Sequence, residues 1–366
     1  MTTDYRPSRV ARVVEALTEH HLDALLVTGR ANIRYLTGFS GSSAMLLVTP
    51  RDLTVLTDFR YQTQVVDEVG DLARLRIEGV SLWDGLWNEL GAVPRRSVIG
   101  FDSAHVTHRD FQRFLAEAEG GRWQWRPQSG IIEGLRQSKD PGEIERIREA
   151  AGVATRALSA TLAQVRVGLS ELQVAGILEK ALRSEGSEAH PFEAIVASGP
   201  RAALPHARAG RRVIEPGDFL LMDFGAELGG YCSDVTRTVV LGRASDEQRA
   251  VYDVVRVANE RACRGVRAGM TGSEADAIAR DYIAAAGFGE DFGHSLGHGI
   301  GLEVHEAPRL ARTAEGRLPT DTVVTVEPGI YRPAWGGVRI EDDVHLGADG
   351  PRILTDFTHE LLELAA

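Results

Sequence analysis

The first third of the chain alternates between hydrophobic segments with helical spacing and short, continuously apolar runs. Helical spacing occurs at residues 9–19 and 111–118, and strand-like runs occur at residues 24–27, 45–48, 53–56 and 98–101. The middle two runs are close enough to form a hairpin. This alternation predicts an N-terminal α/β domain covering residues 1–133.

The pattern changes after a polar junction. Asp140-Pro141 is typical of a helix start, because proline at the first helical position gives up no useful hydrogen-bond donor. We place the domain boundary between residues 129 and 141, which gives a second domain of residues 134–366. That domain is predicted to contain helices at 143–165, 170–185, 246–267 and 273–286, and strands at 219–225, 232–241, 322–328 and 338–346.

Composition narrows the class of protein. The chain has 366 residues, 43% of them hydrophobic, and a formal net charge of −11, which disfavours a protein that tracks nucleic-acid phosphates. Two cysteines are too few for a disulfide framework or a cysteine-based zinc site. Neither a secretory h-region nor an apolar run long enough to span a bilayer is evident, so we expect a cytoplasmic protein without a membrane partner.

Four carboxylates interrupt apolar strand patterns in the second domain. Asp223 lies within residues 219–225, and a buried carboxylate there is costly unless its charge is compensated. Taken singly, three of the four have an ordinary explanation: a buried pair with arginine for Asp223, a solvent-facing strand for Asp234, and a surface ion-pair face for Glu341 beside Arg339. Together with Glu327, the four carboxylates indicate a site.

Histidines and glycines alternate in residues 292–308. This segment contains His294, His298 and His305, and such glycine density is typical of backbone that comes close to a ligand. Four carboxylates and one imidazole suit a pair of divalent ions, with Mn²⁺ favoured by the oxygen-rich set and Co²⁺, Fe²⁺ or Zn²⁺ possible. Two such ions, roughly 3.5–4 Å apart, can activate a bridging hydroxide for attack on a carbonyl.

Several other known functional motifs do not match this sequence. His305-Glu306 does not continue into the HExxH zinc helix, because the second histidine is missing and Pro308 intervenes. Residues 297–301 lack the dinucleotide-binding spacing, and no phosphate-binding P-loop is present.

Five short motifs of this chain occur in the same order in one known family, which the chain resembles. The C-terminal part, residues 134–366, resembles the pita-bread metallopeptidases, which include methionine aminopeptidase, aminopeptidase P, prolidase and the non-peptidase creatinase. Residues 1–130 resemble the creatinase-type N-terminal domain of prolidase and aminopeptidase P. The matching motifs are Met222-Asp-Phe-Gly225, Ser233-Asp-Val-Thr-Arg-Thr238, Gly297-His-Gly-Ile-Gly-Leu-Glu-Val-His-Glu306, Val326-Glu-Pro-Gly329 and Arg339-Ile-Glu-Asp342. The resemblance implies an α+β fold in which a creatinase-type α/β domain precedes a pita-bread domain.

The resemblance also implies a role for each residue. Asp223 would hold one metal, Asp234 and Glu341 would bridge two, and His298 and Glu327 would complete the second. Glu327 would also shuttle the proton. His206, in a segment resembling the one that brings an extra active-site histidine, and His305 would bind the substrate carbonyl or stabilise the tetrahedral intermediate. Arg339 would orient Glu341 or meet the substrate carboxylate, and His294 would line the substrate pocket.

The function implied is hydrolysis of the Xaa-Pro bond by a metal-bridging hydroxide. The chain length slightly favours a Xaa-Pro dipeptidase over an aminopeptidase P that acts on longer peptides. A hydrolase of a small non-peptide amide and a non-catalytic binding module are further alternatives; the intact ligand set disfavours the second. The resemblance also implies a homodimer in which the N-terminal domain lies near the partner's active site.

Overall fold

The computed structural model describes residues 3–118 and 122–365 and divides the chain into two compact units, one ending at Arg136 and the other beginning at Gln137. None of the helices in these described ranges has the length and apolar character that crossing a membrane requires.

The N-terminal unit is built on one six-stranded mixed sheet. Its elements are α1 Arg6–Glu19, β1 Ala24–Val27, α2 Arg30–Thr37, β2 Ala44–Val48, β3 Leu53–Asp58, α3 Gln64–Val69, β4 Arg74–Glu78, α4 Leu82–Leu90, β5 Ser97–Asp102, α5 His108–Glu117, β6 Trp123–Gln128 and α6 Ile131–Arg136. The strand order is β4-β3-β2-β1-β5-β6, with β1 and β3 antiparallel to β2 and the other neighbours parallel. The predicted hairpin of β2 and β3 is confirmed. Phe114 of α5 stacks on Trp125 of β6 at 4.2 Å between ring centroids, which packs this end of the sheet.

Over the described residues 137–365, the C-terminal unit contains four long helices and four sheets. Its elements are α7 Pro141–Leu162, α8 Glu171–Ser184, β7 Ile195–Ser198, β8 Phe219–Phe224, β9 Glu227–Leu228, β10 Tyr231–Cys232, β11 Val235–Leu241, α9 Asp246–Gly265, α10 Gly272–Ala285, β12 Gly297–Gly299, β13 Glu306–Leu310, β14 Thr322–Val326, β15 Gly329–Arg332, β16 Gly336–Arg339, β17 Asp342–Gly347, β18 Gly350–Ile353 and β19 Glu363–Leu364. The larger sheets have the orders β19-β11-β8-β7 and β13-β12-β14-β17-β18, and the smaller ones pair β9 with β10 and β15 with β16.

Each long helix of this unit starts at a capping box, in which the N-cap side chain and the side chain three residues later each satisfy a backbone amide. The pairs are Asp140 with Glu143, Ser170 with Gln173, Ser245 with Gln248, and Thr271 with Glu274. These local signals explain why the four helices predicted from the sequence are confirmed with nearly the same bounds.

Strand β8 is buried on both faces, and its alternation separates two cores. Leu220 and Met222 belong to the core that includes α7 and α8, whereas Phe219 and Leu221 belong to the core that includes α9 and α10. Because side chains alternate along a strand, Asp223 shares the second face.

Two predicted strands, residues 232–241 and 338–346, are interrupted where the sequence pattern showed no break, and the predicted strand 322–328 ends two residues early. β10 ends at Cys232 and β11 begins at Val235, β14 ends at Val326 and β15 begins at Gly329, and β16 ends at Arg339 and β17 begins at Asp342. The prediction of continuous strands was wrong at these points, because the chain changes pairing partners there. Asp234, Glu327 and Glu341 each lie in one of the three breaks.

A buried ion pair ties the C-terminal segment to the sheet. The Arg237 guanidinium lies 2.8 Å from Asp342, and it donates hydrogen bonds to the carbonyls of Phe357 and Thr358 at 3.1 and 3.0 Å. Burial alone would raise the pKa of Asp342, but Arg237 and the nearby His359 outweigh it and hold the pKa below its ordinary value. Both partners of the pair are almost fully buried, so either one alone would be an uncompensated charge.

We therefore expect Arg237→Met to lower the free energy of unfolding by about 3–5 kcal/mol, the cost of breaking a buried pair from one side. The measurement is denaturant unfolding of chelator-treated protein. Arg256→Met is the control, because Arg256 pairs with Asp253 and Glu260 on the surface of α9 and should change stability by about 1 kcal/mol or less. Equal midpoints for the two variants would contradict the expectation.

Candidate metal centre

Thr236 of β11 is the point at which three of the carboxylates meet. It pairs in register with Asp223 of β8, and it forms an isolated bridge with Glu341. The Glu341 amide donates to the Thr236 carbonyl at 3.1 Å, and the Thr236 hydroxyl donates to Glu341 Oε2 at 2.6 Å. Asp234 lies two residues before Thr236, and its own amide donates to Asp343 Oδ2 at 3.1 Å. The breaks in the strands thus turn carboxylates from different sheets toward one volume.

His298 approaches the same volume from β12, between two glycines. A Cβ at Gly297 would lie 2.0 Å from the Thr325 carbonyl oxygen, and one at Gly299 would lie 2.3 Å from that of Ala307. Only glycine therefore allows β12 to lie between β13 and β14 at this spacing. His298 Nε2 lies 3.6 Å from Glu327 Oε1 and 3.9 Å from Asp234 Oδ2.

The second ring nitrogen of His298 fixes its orientation. Nδ1 lies 3.1 Å from the Gly299 carbonyl oxygen, which accepts the bond when the proton is on Nδ1. In that tautomer Nε2 presents a lone pair toward the carboxylates, as a metal-ligating imidazole does. Asp234, His298 and Glu341 each offer a ligand atom within 4.8 Å of the others.

The electrostatics of the cluster indicate a missing positive charge. Burial and the neighbouring carboxylates raise the pKa of Asp234 and of Glu327 well above the ordinary value, and raise the pKa of Glu341 to about 8. Burial lowers the pKa of His298 to about 4, which keeps the imidazole neutral. Within the described residues, Asp234 Oδ1 is buried without a hydrogen-bond partner. Such an orphaned oxygen and this oxygen-rich donor set fit divalent cations.

Arg339 compensates one carboxylate directly. It is almost fully buried and forms an ion pair with Asp223, while donating to the Thr236 hydroxyl at 3.1 Å and to the Tyr331 hydroxyl at 2.8 Å. It reaches Glu341 only through Thr236. These bonds occupy most of the guanidinium, which favours the predicted orienting role over contact with a substrate carboxylate.

A cavity of about 1290 Å³ opens above the cluster. All the residues singled out from the sequence line it: His206, Asp223, Asp234, His294, His298, His305, Glu327, Arg339 and Glu341. The ring centroids of His305 and His298 are 4.4 Å apart. His206 is exposed to the cavity from the irregular segment that follows the 3₁₀ helix Gly199–Ala203.

Tyr331 is a site residue that sequence reasoning missed. Its hydroxyl lies 2.8 Å from His294 Nε2 as well as from Arg339, and His294 Nδ1 lies 3.9 Å from Glu327 Oε2. Tyr331 thus connects the side of the cavity that holds Asp223 to the side that holds Glu327. The available signal was a tyrosine in an apolar strand just after the Val326-Glu-Pro-Gly329 motif, because a buried tyrosine hydroxyl needs a partner.

The N-terminal unit contains a second group of possible metal donors, which the sequence did not indicate. Asp102, His105 and Glu133 also bring ligand atoms within 4.8 Å of one another. Here, however, the Asn32 amide donates to both carboxylates, at 3.0 and 2.6 Å. Protein donors therefore already serve this cluster, unlike Asp234.

Comparison with known proteins agrees with this geometry. A family model described as metallopeptidase family M24 matches residues 145–348, and one described as the creatinase/prolidase N-terminal domain matches residues 9–138. A Xaa-Pro dipeptidase of Pyrococcus horikoshii is 32% identical over 360 residues, which cover 98% of this chain and 100% of the relative.

Two solved structures are similar over nearly the full length. A Xaa-Pro dipeptidase from Bacillus anthracis superposes with a TM-score of 0.93 at 39% identity, covering 98% of this chain and 100% of that one. An X-Pro aminopeptidase from Thermotoga maritima gives a TM-score of 0.88 at 37% identity, covering 98% and 99%. The α+β fold predicted from the sequence, with a creatinase-type domain before a pita-bread domain, is confirmed, and the chain belongs to the metal-dependent peptidases of family M24.

Proposed function

We propose that this protein is a Xaa-Pro dipeptidase that hydrolyses the bond before proline in a dipeptide. The observation that carries the proposal is the convergence of four carboxylates and a neutral imidazole at the base of one cavity, with their negative charge only partly compensated. Relatives that match the whole chain and are described as Xaa-Pro dipeptidases support the choice of substrate.

Five residues would hold two divalent ions: Asp223, Asp234, His298, Glu327 and Glu341. The family resemblance implies that Asp234 and Glu341 would be shared by the two ions, and these two side chains and His298 bring ligand atoms within 4.8 Å of one another. We propose Mn²⁺ as the native metal, since oxygen donors with a single imidazole suit it. When bound, such ions supply a Lewis acid that polarises the substrate carbonyl and lowers the pKa of water.

The protein's own groups would move the proton and hold the substrate. Glu327 would take the proton of the attacking water and deliver it to the leaving proline nitrogen. His206 and His305 would donate hydrogen bonds to the carbonyl oxygen as negative charge develops there. His294, whose Nε2 bonds to the Tyr331 hydroxyl and whose Nδ1 bonds to the Ser295 carbonyl, would line the pocket close to Glu327.

Arg309 and Arg312, on the cavity wall, favour a dipeptide as the substrate. Arg280 and Arg339 also line the cavity, but they are committed to Asp276 and Asp223. Arg309 and Arg312 are exposed, and over the described ranges neither guanidinium pairs with a carboxylate. A free proline carboxylate is a ligand that such guanidinium groups bind through strong, charge-assisted hydrogen bonds.

A second candidate is an aminopeptidase that acts on longer Xaa-Pro peptides. The cavity volume of about 1290 Å³ exceeds that of most small-molecule pockets and leaves room for further residues. The similarity to the Thermotoga maritima X-Pro aminopeptidase points the same way.

The homodimer and the cytoplasmic location both stay predictions from the sequence.

Metal removal provides the first test. We expect chelator-treated protein to bind two equivalents of Mn²⁺, measured by calorimetry and elemental analysis, and to regain activity only then. Asp234→Asn should lower kcat/KM by more than about 100-fold, because even changes outside the ligand shell cost up to that factor. Asp253→Asn, an exposed carboxylate on α9, is the matched control. Full activity in the presence of chelator, or in Asp234→Asn, would contradict the assignment.

The substrate class is tested by comparing Ala-Pro, Ala-Pro amide and Ala-Pro-Ala with Mn²⁺-loaded enzyme. A dipeptidase should cleave Ala-Pro with the highest kcat/KM, because only that substrate places a free carboxylate beside proline. Equal or better cleavage of the tripeptide would establish the aminopeptidase instead. If none of the three is cleaved by protein with two metals bound, a small non-peptide amide becomes the substrate to seek. If metal does not bind, the result supports a non-catalytic binding module.

The role of the wall arginines predicts a selective effect. Arg309→Ala and Arg312→Ala together should raise KM for Ala-Pro by about 10–100-fold, the loss expected for a charge-assisted hydrogen bond, while leaving Ala-Pro amide almost unaffected. Arg256→Ala on the surface of α9 serves as the control for loss of positive charge. A similar loss for both substrates would exclude recognition of the carboxylate by these residues.

A further inference from the structure

His206 lies on a segment that lacks regular secondary structure. Residues 204–210 follow the 3₁₀ helix Gly199–Ala203 and precede β8 without joining either large sheet. The side chain of His206 nevertheless lines the same cavity as the five proposed metal ligands, which come from strands or from the breaks between them. A side chain can act reproducibly from such a segment only when other groups fix its backbone.

Glu171 is the first anchor of this segment. It is the first residue of α8, and its side chain is completely buried. Its Oε1 accepts hydrogen bonds from the Ser198 amide at 2.8 Å and the Ser198 hydroxyl at 3.0 Å, and its Oε2 accepts one from the Gly210 amide at 2.9 Å. One carboxylate thus joins the end of β7 to the far end of the segment that carries His206.

Arg201 is the second anchor. Its Nε lies 3.2 and 3.0 Å from the two oxygens of Glu171, and its Nη2 donates to the Arg208 carbonyl at 2.6 Å. The guanidinium therefore spans from the buried carboxylate to the backbone two residues beyond His206. Because Arg201 is the cation that pairs directly with Glu171, its loss would leave this buried carboxylate with neutral hydrogen-bond donors and with Arg212 as a further nearby cation.

The other side of the segment is fixed by β16, the strand that ends at Arg339. Arg339 Nη1 lies 3.4 Å from the Pro205 carbonyl oxygen. A Cβ at Gly337 of β16 would lie 2.2 Å from the Ala202 carbonyl oxygen, so β16 packs directly against the 3₁₀ helix. The backbone around His206 is thus held by Arg339, which contacts the Pro205 carbonyl, and by Arg201, which contacts the Arg208 carbonyl.

We propose that Glu171 and Arg201 are positioning residues for His206. The pair holds residues 204–210 in the conformation that presents the His206 imidazole to the carbonyl of the bound substrate. This inference rests on the proposed function of His206, and neither Glu171 nor Arg201 contacts the substrate itself.

Kinetics test the connection to His206. Arg201→Ala should lower kcat for Ala-Pro by between about 10- and 100-fold, the cost of a misplaced catalytic group, with KM changed much less. In a His206→Ala background the same substitution should have almost no further effect, because both changes remove one contribution. Arg156→Ala is the matched control: Arg156 pairs with Glu185 at 2.8 Å, also involves α8, and lies away from the cavity.

Amide hydrogen exchange gives a readout that does not depend on activity. Exchange across residues 204–210 should be faster in Arg201→Ala and Glu171→Gln than in the wild type, and unchanged in Arg156→Ala. Unchanged exchange in the first two variants would overturn the proposal, as would kinetic effects of Arg201→Ala and His206→Ala that simply add.

The two proposals fail in different ways. A wild-type chain that binds Mn²⁺ but cleaves no Xaa-Pro substrate would overturn the proposed function, and with it the catalytic part of this inference. Faster exchange in Arg201→Ala would still support the structural role of the pair in that case.

Discussion

Repulsion among carboxylates buried in one small volume is the constraint on which the C-terminal unit depends. Asp223, Asp234, Glu327 and Glu341 come from four places in the sequence, and burial makes their charges costly. Arg339 compensates Asp223, and a hydrogen bond from the Thr236 hydroxyl stabilises the Glu341 carboxylate. Two divalent cations would supply the remaining positive charge. Metal binding and folding of this region would then be coupled, because the same ions that activate a substrate would also relieve the repulsion.

The strand breaks give this cluster its shape. A carboxylate in the middle of a ladder points perpendicular to its sheet, whereas one at a break can turn toward a neighbouring sheet. Asp234, Glu327 and Glu341 all lie at breaks, and Asp223 lies on a strand buried on both faces. Buried groups around them, such as the pair of Arg237 with Asp342, hold the broken ends in place. Rigidity of the surrounding packing thus substitutes for the missing ladder bonds.

Much of this arrangement could be predicted from the sequence, because its signals are local. Capping boxes mark the long helices, and carboxylates inside apolar runs mark the site. The breaks themselves escaped prediction, since the apolar pattern of residues 338–346 continues through Glu341 and only the partner strands show where pairing changes. In the N-terminal unit, β4 was missed because its alternating Arg74–Glu78 sequence is largely exposed and lacks an apolar run. The bonds of Tyr331 to His294 and Arg339, and of Glu171 to Arg201, link residues far apart in the sequence and leave no local signal.

The positions around the cavity differ in how freely their residues can be substituted, and the glycines on either side of His298 are the least free. Any side chain at Gly297 or Gly299 would collide with the backbone of a neighbouring strand, so the wall that carries His298 is closed to substitution. Exposed side chains on and just after the neighbouring strand β13, such as Arg309 and Arg312, also line the cavity, and their replacement displaces no backbone. Divergence within such a fold should therefore accumulate at exposed positions such as Arg309 and Arg312, so that relatives come to differ in which peptides they accept while keeping the same way of cleaving them.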